Sequence, residues 1–334
     1  MDTIISVSGL KKNYKIPVRK QGAFQVLKSL VHPTYKEVEA VKGLDFSVQE
    51  GEIVGFIGPN GAGKTTTLKM LSGLLYPTEG KLEVMGYTPY QRKTEYLKKI
   101  GMIMGNKSQL NMNITVSDSF HVTKQIYDIS DKDYKDRLDE LVELLGIGEL
   151  LDKLPRNMSL GEKAKCEFAS TLLYQPKIVY LDEPTLGMDV SVQLKLRKFI
   201  KEYNKKHNTT IILTSHYMAD IMSLCSRVIL INKGELVYDG NLIALGNKLL
   251  PFKIIRIVSD TEKLNLDVIE KVVGSDSKII DSDDHSCTIR VLKDDVLMSI
   301  SKLLQNETVS ISDITIENPA IEAVIDQVYR KGVE

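Results

Sequence analysis

The 334-residue sequence has few cysteines, no net charge and no long apolar run, and each of these absences excludes a class of protein. Its three cysteines, Cys166, Cys225 and Cys287, are far apart and form no Cys-x-x-Cys pair. This spacing excludes a disulfide framework or a zinc cluster and favours a reducing cytoplasm. Lys plus Arg (44) equals Asp plus Glu (44), so bulk charge does not indicate nucleic-acid binding. Because no apolar stretch approaches ~18 residues and the N-terminus lacks a signal pattern, we expect a chain that does not cross a membrane by itself.

Strand and helix patterns alternate from residue 40 to about 240, which predicts an α/β domain with a parallel sheet. The clearest predicted elements are strands over 53–57, 178–181 and 210–214, helices over 64–75, 130–145 and 190–207, and a hairpin over 227–238. The composition changes after Gly240, and a small α+β unit of ferredoxin-like pattern follows, with its last strand predicted over 308–316. We assign residues 1–245 to the first domain and 250–334 to the second.

The strongest functional motif fits the pattern G-x-x-x-x-G-K-[ST] and lies between a predicted strand and a predicted helix. It consists of Gly58, Pro59, Asn60, Gly61, Ala62, Gly63, Lys64 and Thr65. Glycines let backbone N–H groups turn toward phosphates, and the N-terminus of the helix adds partial positive charge. Lys64 would reach the β- and γ-phosphates, and the Thr65 hydroxyl would bind Mg²⁺. The motif therefore predicts a site for a nucleoside triphosphate with magnesium.

A second motif is an apolar strand, Ile178–Leu181, that ends in the carboxylates Asp182 and Glu183. Successive side chains of a strand point to opposite faces, so the two carboxylates can take different roles. Asp182 can hold Mg²⁺, mostly through water, while Glu183 can polarise the attacking water. The alternative, a solvated acidic turn, is disfavoured because Pro184 follows at once and the strand is fully apolar.

Together with three further motifs, these two resemble the ATP-binding-cassette (ABC) ATPases over about residues 1–245. Met158–Glu162 resembles the LSGGQ signature of that family, and Leu186–Asp189 resembles its D-loop. Thr214–His216 resembles the segment that carries the switch histidine, and Tyr14 matches the aromatic residue that stacks on adenine. The resemblance implies an ABC-type P-loop fold with a helical signature subdomain, and an ATPase that uses ATP and Mg²⁺.

The family's roles carry over to matching positions of this sequence. The resemblance implies that Thr66 contacts phosphate with Lys64, that Glu183 is the base, and that His216 stabilises the γ-phosphate. Ser159 and Gly161 would act on the nucleotide of another subunit. Since the chain has one phosphate loop and one signature, the resemblance implies a head-to-tail dimer with a second ABC ATPase subunit, as a homodimer or a heterodimer. It also implies membrane permease subunits as partners, a place on the cytoplasmic face of the membrane, and no nucleic acid.

Two of the motifs depart from the family pattern. In the signature, Leu160 replaces the first glycine and Glu162 replaces glutamine, while Ser159 and Gly161 are retained, so we expect function to persist. In the Gln-loop, the usual glutamine position holds Asn106, and Gln109 follows three residues later. We predict that Asn106 is the magnesium-side contact, directly or through a water, because the position of a side chain in the loop matters more than its length. We expect Gln109 to face the permease or to support the loop.

The C-terminal unit resembles the accessory domain that follows the cassette in some bacterial drug and polysaccharide exporters, most clearly over Ile314–Glu322. This favours export, and we expect a dimer-stabilising domain. Its only aromatic residues are Phe252 and Tyr329, which does not favour an RNA-binding sheet. The alternative function is a soluble ABC ATPase acting on ribosomes or nucleic acid. Such proteins usually carry two cassettes, a long coiled coil or a zinc hook, and this sequence has none of these.

A basic stretch interrupts the first domain, since residues 11–40 carry seven basic and two acidic side chains. Within it Phe24, Leu27 and Leu30 recur near helical spacing. Two hypotheses stay open for residues 15–36. They lie against the membrane surface or a permease, or they form an insertion packed on their own domain.

Overall fold

A computed structural model of the chain describes residues 2–17, 35–105, 107–260, 263–274, 277–306 and 309–331. The chain divides into two compact units, Met1–Gly240 and Asn241–Glu334. The predicted helical pattern at Phe24, Leu27 and Leu30 and the Gln-loop candidate Asn106 lie outside the described residues. Across the described ranges, no helix is long and apolar enough to span a lipid bilayer.

The first unit is an α/β structure with two sheets. Its strands are β1 (Thr3–Pro17), β2 (Tyr35–Gln49), β3 (Ile53–Ile57), β4 (Glu79–Val84), β5 (Ile100–Met104), β6 (Ile178–Asp182), β7 (Thr210–Thr214), β8 (Arg227–Asn232) and β9 (Glu235–Gly240). Its α-helices are α1 (Lys64–Leu71), α2 (Thr94–Leu97), α3 (Val116–Ile126), α4 (Asp131–Leu145), α5 (Leu160–Leu172), α6 (Val190–His207) and α7 (Met218–Leu224).

The larger sheet has the order β5-β6-β7-β3-β8-β9, with the first five strands parallel and β9 antiparallel to β8. This confirms the predicted parallel sheet and the hairpin that closes it. In a parallel α/β sheet the loops after the carboxyl ends of the strands lie at one edge. The loops that follow β3, β5, β6 and β7 therefore meet there, and these are the loops that carry the motifs.

The smaller sheet has the order β2-β1-β4, and its strands are antiparallel. The hydrophobic core of the unit lies between the two sheets and includes α1. The rings of Phe46 in β2 and Phe56 in β3 lie 5.7 Å apart at its centre. The β1–β2 pairing continues as far as Pro17 opposite Tyr35, well beyond the predicted strand at Ile4 to Val7.

Local sequence signals set the helix ends. Ser130 caps α4, because its side chain accepts a hydrogen bond from the backbone N–H of Asp133. The predicted helix over 64–75 is too long, since α1 ends at Leu71. Gly73 follows with φ 77°, a left-handed conformation that ends helices and that glycine adopts without strain.

The second unit is a small α+β sandwich. Its elements are α8 (Leu242–Leu249), β10 (Phe252–Val258), α9 (Leu266–Val273), β11 (Lys278–Ser282), β12 (Ser286–Leu292), α10 (Val296–Gln305), β13 (Asp313–Glu317) and α11 (Ile321–Lys331). The antiparallel sheet has the order β11-β12-β10-β13, which is the strand order of a βαββαβ sandwich and agrees with the ferredoxin-like prediction. The last strand, β13, begins at Asp313, later than predicted.

Candidate active site

The glycine loop between β3 and α1 has a backbone that only glycine can adopt at several positions. Gly61 and Gly63 have φ of 80° and 106°. A Cβ on Gly58 would lie 2.5 Å from the carbonyl oxygen of Ile231, and one on Gly63 would lie 2.6 Å from that of Ala40. The loop is therefore held tightly by the neighbouring strands, with its N–H groups and the start of α1 at the carboxyl edge of the sheet. This geometry suits a phosphate chain.

Lys64, the first residue of α1, is held inside this loop. Its side chain is 6% exposed, and its Nζ donates to the carbonyl oxygens of Gly58 at 2.6 Å and Pro59 at 3.2 Å. Burial lowers the pKa of the ammonium, while the charges of Glu183 and Asp182 oppose that shift. The ammonium group thus lies within the glycine loop, where the phosphate chain of a nucleotide would bind. The next two predicted residues, Thr65 and Thr66, are in the first turn of α1.

Three oxygen groups form the predicted metal side of the site. The Thr65 hydroxyl donates to Asp182 Oδ2 at 3.0 Å, and the Thr214 hydroxyl donates to Oδ1 of the same carboxylate at 2.7 Å. Asp182 and Thr214 are register partners at the ends of β6 and β7. Asp182 lines a small cavity of about 140 Å³ together with Thr65 and Glu183.

These donors fit Mg²⁺, which prefers oxygen ligands and is usually bound by one or two carboxylates together with substrate phosphates and waters. In the described part of the chain, no cluster of three or more His, Cys, Asp or Glu side chains forms a metal cage. A hydroxyl and a single carboxylate at this edge suit a metal that arrives with a nucleotide.

The two predicted catalytic side chains are in contact. Glu183 Oε1 lies 2.9 Å from His216 Nε2, although the residues follow different strands. Glu183 has φ 54°, in the left-handed region where a residue other than glycine is strained. Its N–H holds this turn by donating to the carbonyl and the hydroxyl oxygen of Thr214, each at 3.1 Å. The carboxylate is thereby aimed toward the cavity beside Asp182.

The loop after β5 is packed against this turn. Gly105 N–H donates to the carbonyl of Asp182 at 2.9 Å, and a Cβ on Gly105 would lie only 2.1 Å from the carbonyl oxygen of Glu183. Further along, the Gln109 side-chain amide donates to the carbonyl of Met102 in β5. The Gln109 side chain is therefore turned back onto its own strand, as expected for a residue that supports the loop.

The signature segment begins helix α5 with a capping box. Ser159 Oγ accepts from the N–H of Glu162 at 3.2 Å, and Glu162 Oε2 accepts from the N–H of Ser159 at 2.8 Å. The Ser159 backbone and Lys153 lower the pKa of the Glu162 carboxyl. Glu162 thus stabilises the start of the helix. Leu160, in place of glycine, is 45% exposed.

The structure does not bring all the predicted residues together within one chain. Among the described residues, no hydrogen bond or ion pair joins Ser159 or Gly161 to the glycine loop. Tyr14, by contrast, is connected to the glycine loop through strand β2. It lies on β1 opposite Val38 of β2, two residues from Ala40, which touches Gly63. The ammonium of Lys12 lies 5.4 Å from the centroid of its ring.

Comparisons with known proteins agree with this geometry. The family model described as "ABC transporter" matches residues 41–186. The chain is 32% identical to the ABC transporter ATP-binding protein NatA of Bacillus subtilis, over 63% of this chain and 85% of that protein. It is 36% identical to the bacitracin transport ATP-binding protein BcrA of Bacillus licheniformis, over 61% of this chain and 66% of that one. A solved structure of an ATP-binding subunit of an ABC transporter superposes with a TM-score of 0.60 at 25% identity, over 72% of this chain and 91% of that one.

The chain belongs to the ABC transporter ATP-binding proteins. Its fold is that of an ABC cassette, and its activity is that of an ABC ATPase, ATP binding and hydrolysis. The predicted family and fold are thereby confirmed.

Sequence reasoning missed two polar groups of this ABC ATPase. The role of Thr214 as the second partner of Asp182 could have been found, because it ends the strand before His216 and parallel neighbours end at the same edge. Asp220 carries no motif, yet it is fully buried beside the catalytic turn. No local pattern indicated its contacts.

Proposed function

We propose that this ABC ATPase powers export through separate membrane permease subunits, at the cytoplasmic face of the membrane. The observation that carries the ATP-hydrolysing part of the proposal is the convergence of Glu183 and His216 beside Asp182 and Thr65, after the strands that border the glycine loop. Catalysis at such a site is positioning plus stabilisation of charge.

Each side chain has a defined task in hydrolysis. Lys64 and Thr66 bind the phosphates, and Tyr14 stacks on the adenine. Mg²⁺, held by Thr65 and Asp182, would neutralise charge on the phosphate oxygens. Glu183 accepts the proton of the attacking water, since its carboxylate is aimed at the cavity where that water would lie. His216, at 2.9 Å from the carboxylate, orients it and would stabilise the γ-phosphate.

The site requires a second subunit. Within the part of the chain that the structure describes, no hydrogen bond or ion pair joins Ser159 or Gly161 to the glycine loop, so they would act on the nucleotide of a head-to-tail partner, in a homodimer or a heterodimer. Leu160, within this segment, is 45% exposed, and Val190, at the start of α6, is 69% exposed. A surface of this kind supports association.

A cleft of about 450 Å³ supports docking of the permeases. Gln109 lines it, together with Tyr127 and Tyr174, whose rings stack at 3.6 Å. On the neighbouring helix α3, Val122 and Ile126 expose half or more of their surface. An apolar cleft beside the loop that meets the catalytic turn suits a short helix of a membrane subunit.

The direction of transport is inferred from the second unit. Relatives of the chain include proteins named for bacitracin transport and for methionine import, so membership of the family supports either direction. The resemblance of residues 250–334 to exporter accessory domains favours export, with the cassette over 1–245. We assign to this second domain the task of stabilising the dimer.

Glu183→Gln tests the catalytic assignment. The variant should bind ATP normally, lose steady turnover, and form a dimer that depends on ATP, because the base is lost while the phosphate contacts remain. Size-exclusion chromatography with Mg-ATP and a phosphate-release assay measure both properties. Turnover near the wild-type rate would contradict the role of Glu183. Comparing substrate uptake and efflux in inverted vesicles that hold the co-purified permeases tests the direction.

A further inference from the structure

A fully buried carboxylate lies behind the catalytic site. Asp220, in helix α7, is 0% exposed. Its Oδ1 accepts from Arg197 Nε at 2.5 Å, and its Oδ2 accepts from the hydroxyls of Thr185 at 2.6 Å and Ser215 at 2.7 Å. Three donors on two oxygens satisfy the carboxylate, which would otherwise be very costly to bury.

The two hydroxyl partners belong to the segments that carry the proposed catalytic groups. Thr185 follows Glu183 by two residues, and Ser215 directly precedes His216. These segments come from different strands, β6 and β7. One carboxylate oxygen of Asp220 therefore joins the turn of the base to the loop of the histidine. Both hydroxyl-bearing residues are buried, so water does not compete for these bonds.

The third partner extends the network toward the segment that resembles a D-loop. Arg197, in helix α6, donates through its NH2 group to Gln193 Oε1 at 3.1 Å. The Gln193 amide in turn donates to the carbonyl of Met188 at 3.1 Å. Asp220 is thus linked by continuous hydrogen bonds to three segments that border the nucleotide site.

Stability alone does not explain this arrangement. A buried ion pair is often no more stabilising than apolar side chains of similar volume. Oδ2 of Asp220 needs donors in addition to Arg197, but those donors need not come from the catalytic segments. The Thr185 and Ser215 bonds instead fix where those segments lie relative to each other, and a buried, fully paired network is rigid.

We propose that Asp220 is a positioning residue for ATP hydrolysis, which sets the Glu183 carboxylate against His216 through Thr185 and Ser215. The proposal rests on the proposed roles of Glu183 and His216. Asp220 is fully buried, and it acts through the segments that carry Glu183 and His216.

The test removes the two hydroxyl bonds to Asp220 one at a time and leaves the ion pair with Arg197 in place; Ser215→Ala also removes the bond that the Tyr217 N–H donates to Ser215 Oγ at 3.0 Å. Thr185→Val and Ser215→Ala, in the full chain, should each lower kcat roughly tenfold, because the catalytic groups lose their fixed separation. KM for Mg-ATP should stay within about twofold, since the phosphate contacts are untouched. Thr185→Ser restores the hydroxyl and should restore kcat. Asp220→Asn should lower kcat at least as far as either single variant.

A matched control separates positioning from folding. Asp239 accepts from Arg227 Nε at 2.6 Å in the same unit, on the β8–β9 hairpin. Asp239→Asn makes the same chemical change in an Arg–carboxylate pair away from the site, and should leave kcat unchanged even if Tm falls. If Thr185→Val and Ser215→Ala keep kcat within twofold, the proposal is overturned. It is also overturned if kcat falls with Tm in Asp239→Asn to the same degree.

The Glu183→Gln variant separates this proposal from the one on which it rests. If Glu183→Gln retains turnover, the catalytic assignment fails, and the positioning role fails with it. If Glu183→Gln stops turnover while Thr185→Val and Ser215→Ala do not slow it, only the positioning role fails.

Discussion

Substituting Gly105 by alanine should push the backbone of the loop after β5 away from the backbone of the turn at Glu183. A Cβ at this position would lie 2.1 Å from the carbonyl oxygen of Glu183, and ordinary contact begins near 3.4 Å. Neither group is a flexible side chain, so one of the two loops must move. The backbones must separate by about 1 Å, and a misplacement of that size near reacting groups can cost about 100-fold in turnover. Overpacking of this kind also costs about 1–3 kcal/mol of unfolding free energy.

Gly148→Ala provides the matched control. A Cβ there would lie 3.6 Å from a methyl group of Val142, which is ordinary contact. Its turnover should stay within about twofold, and its unfolding free energy should be unchanged or higher by up to about 1 kcal/mol. Phosphate release with saturating Mg-ATP and urea unfolding measure the two effects. If Gly105→Ala keeps more than about a third of wild-type turnover, the Gly105 loop does not hold the catalytic turn.

Three further predictions concern the Gln-loop, the signature and the basic segment. Asn106→Ala should lower basal turnover about tenfold, whereas Gln109→Ala should lower only permease-stimulated turnover; the reverse pattern in phosphate-release assays would identify Gln109 as the metal-side amide. The pKa of Glu162 in the folded chain lies below its usual 4.5, so its charged carboxylate stabilises the fold above pH 4.5, and this stabilisation is lost as pH falls through the folded pKa. Glu162→Gln should therefore make the free energy of unfolding, measured with urea, depend less on pH on the acid side. Equal acid slopes would contradict this. Deleting residues 18–34 should spare basal ATPase activity but weaken co-purification with the permeases, and unchanged complex formation would refute docking through that segment.

Sequence patterns predicted the elements whose burial repeats regularly. The helix Val190–His207 and the strand Thr210–Thr214 have the predicted bounds, since their apolar residues follow one face or fill the whole strand. The start of β2 was not predicted, because Tyr35–Glu39 is exposed and highly charged. Pairing with β1 makes it a strand, and a pairing partner leaves no trace in local hydrophobicity.

In the candidate site too, motifs of consecutive residues were predicted and contacts between distant residues were not. The phosphate loop and the carboxylate pair were found because their chemistry is compressed into consecutive residues. Asp220 was missed because its partners lie 35, 23 and 5 residues away in the chain. Only the order of strands in the sheet brings Thr185, Ser215 and Arg197 to one carboxylate. Arrangements of this kind depend on topology, which single-residue spacing does not encode.

The antiparallel pairing that ends at Pro17 opposite Tyr35 has a consequence for how this protein can evolve. The two ends of the intervening segment are fixed side by side by backbone hydrogen bonds that belong to the cassette. Lengthening the connection between two ends that are held together costs little closure entropy, about 0.6 kcal/mol for each doubling of its length. Insertions, deletions or a grafted peptide at this position should therefore leave the folding of the cassette almost unaffected. The end of this strand pair is a natural attachment point at which one ATPase scaffold can acquire new surface chemistry while its nucleotide site stays the same.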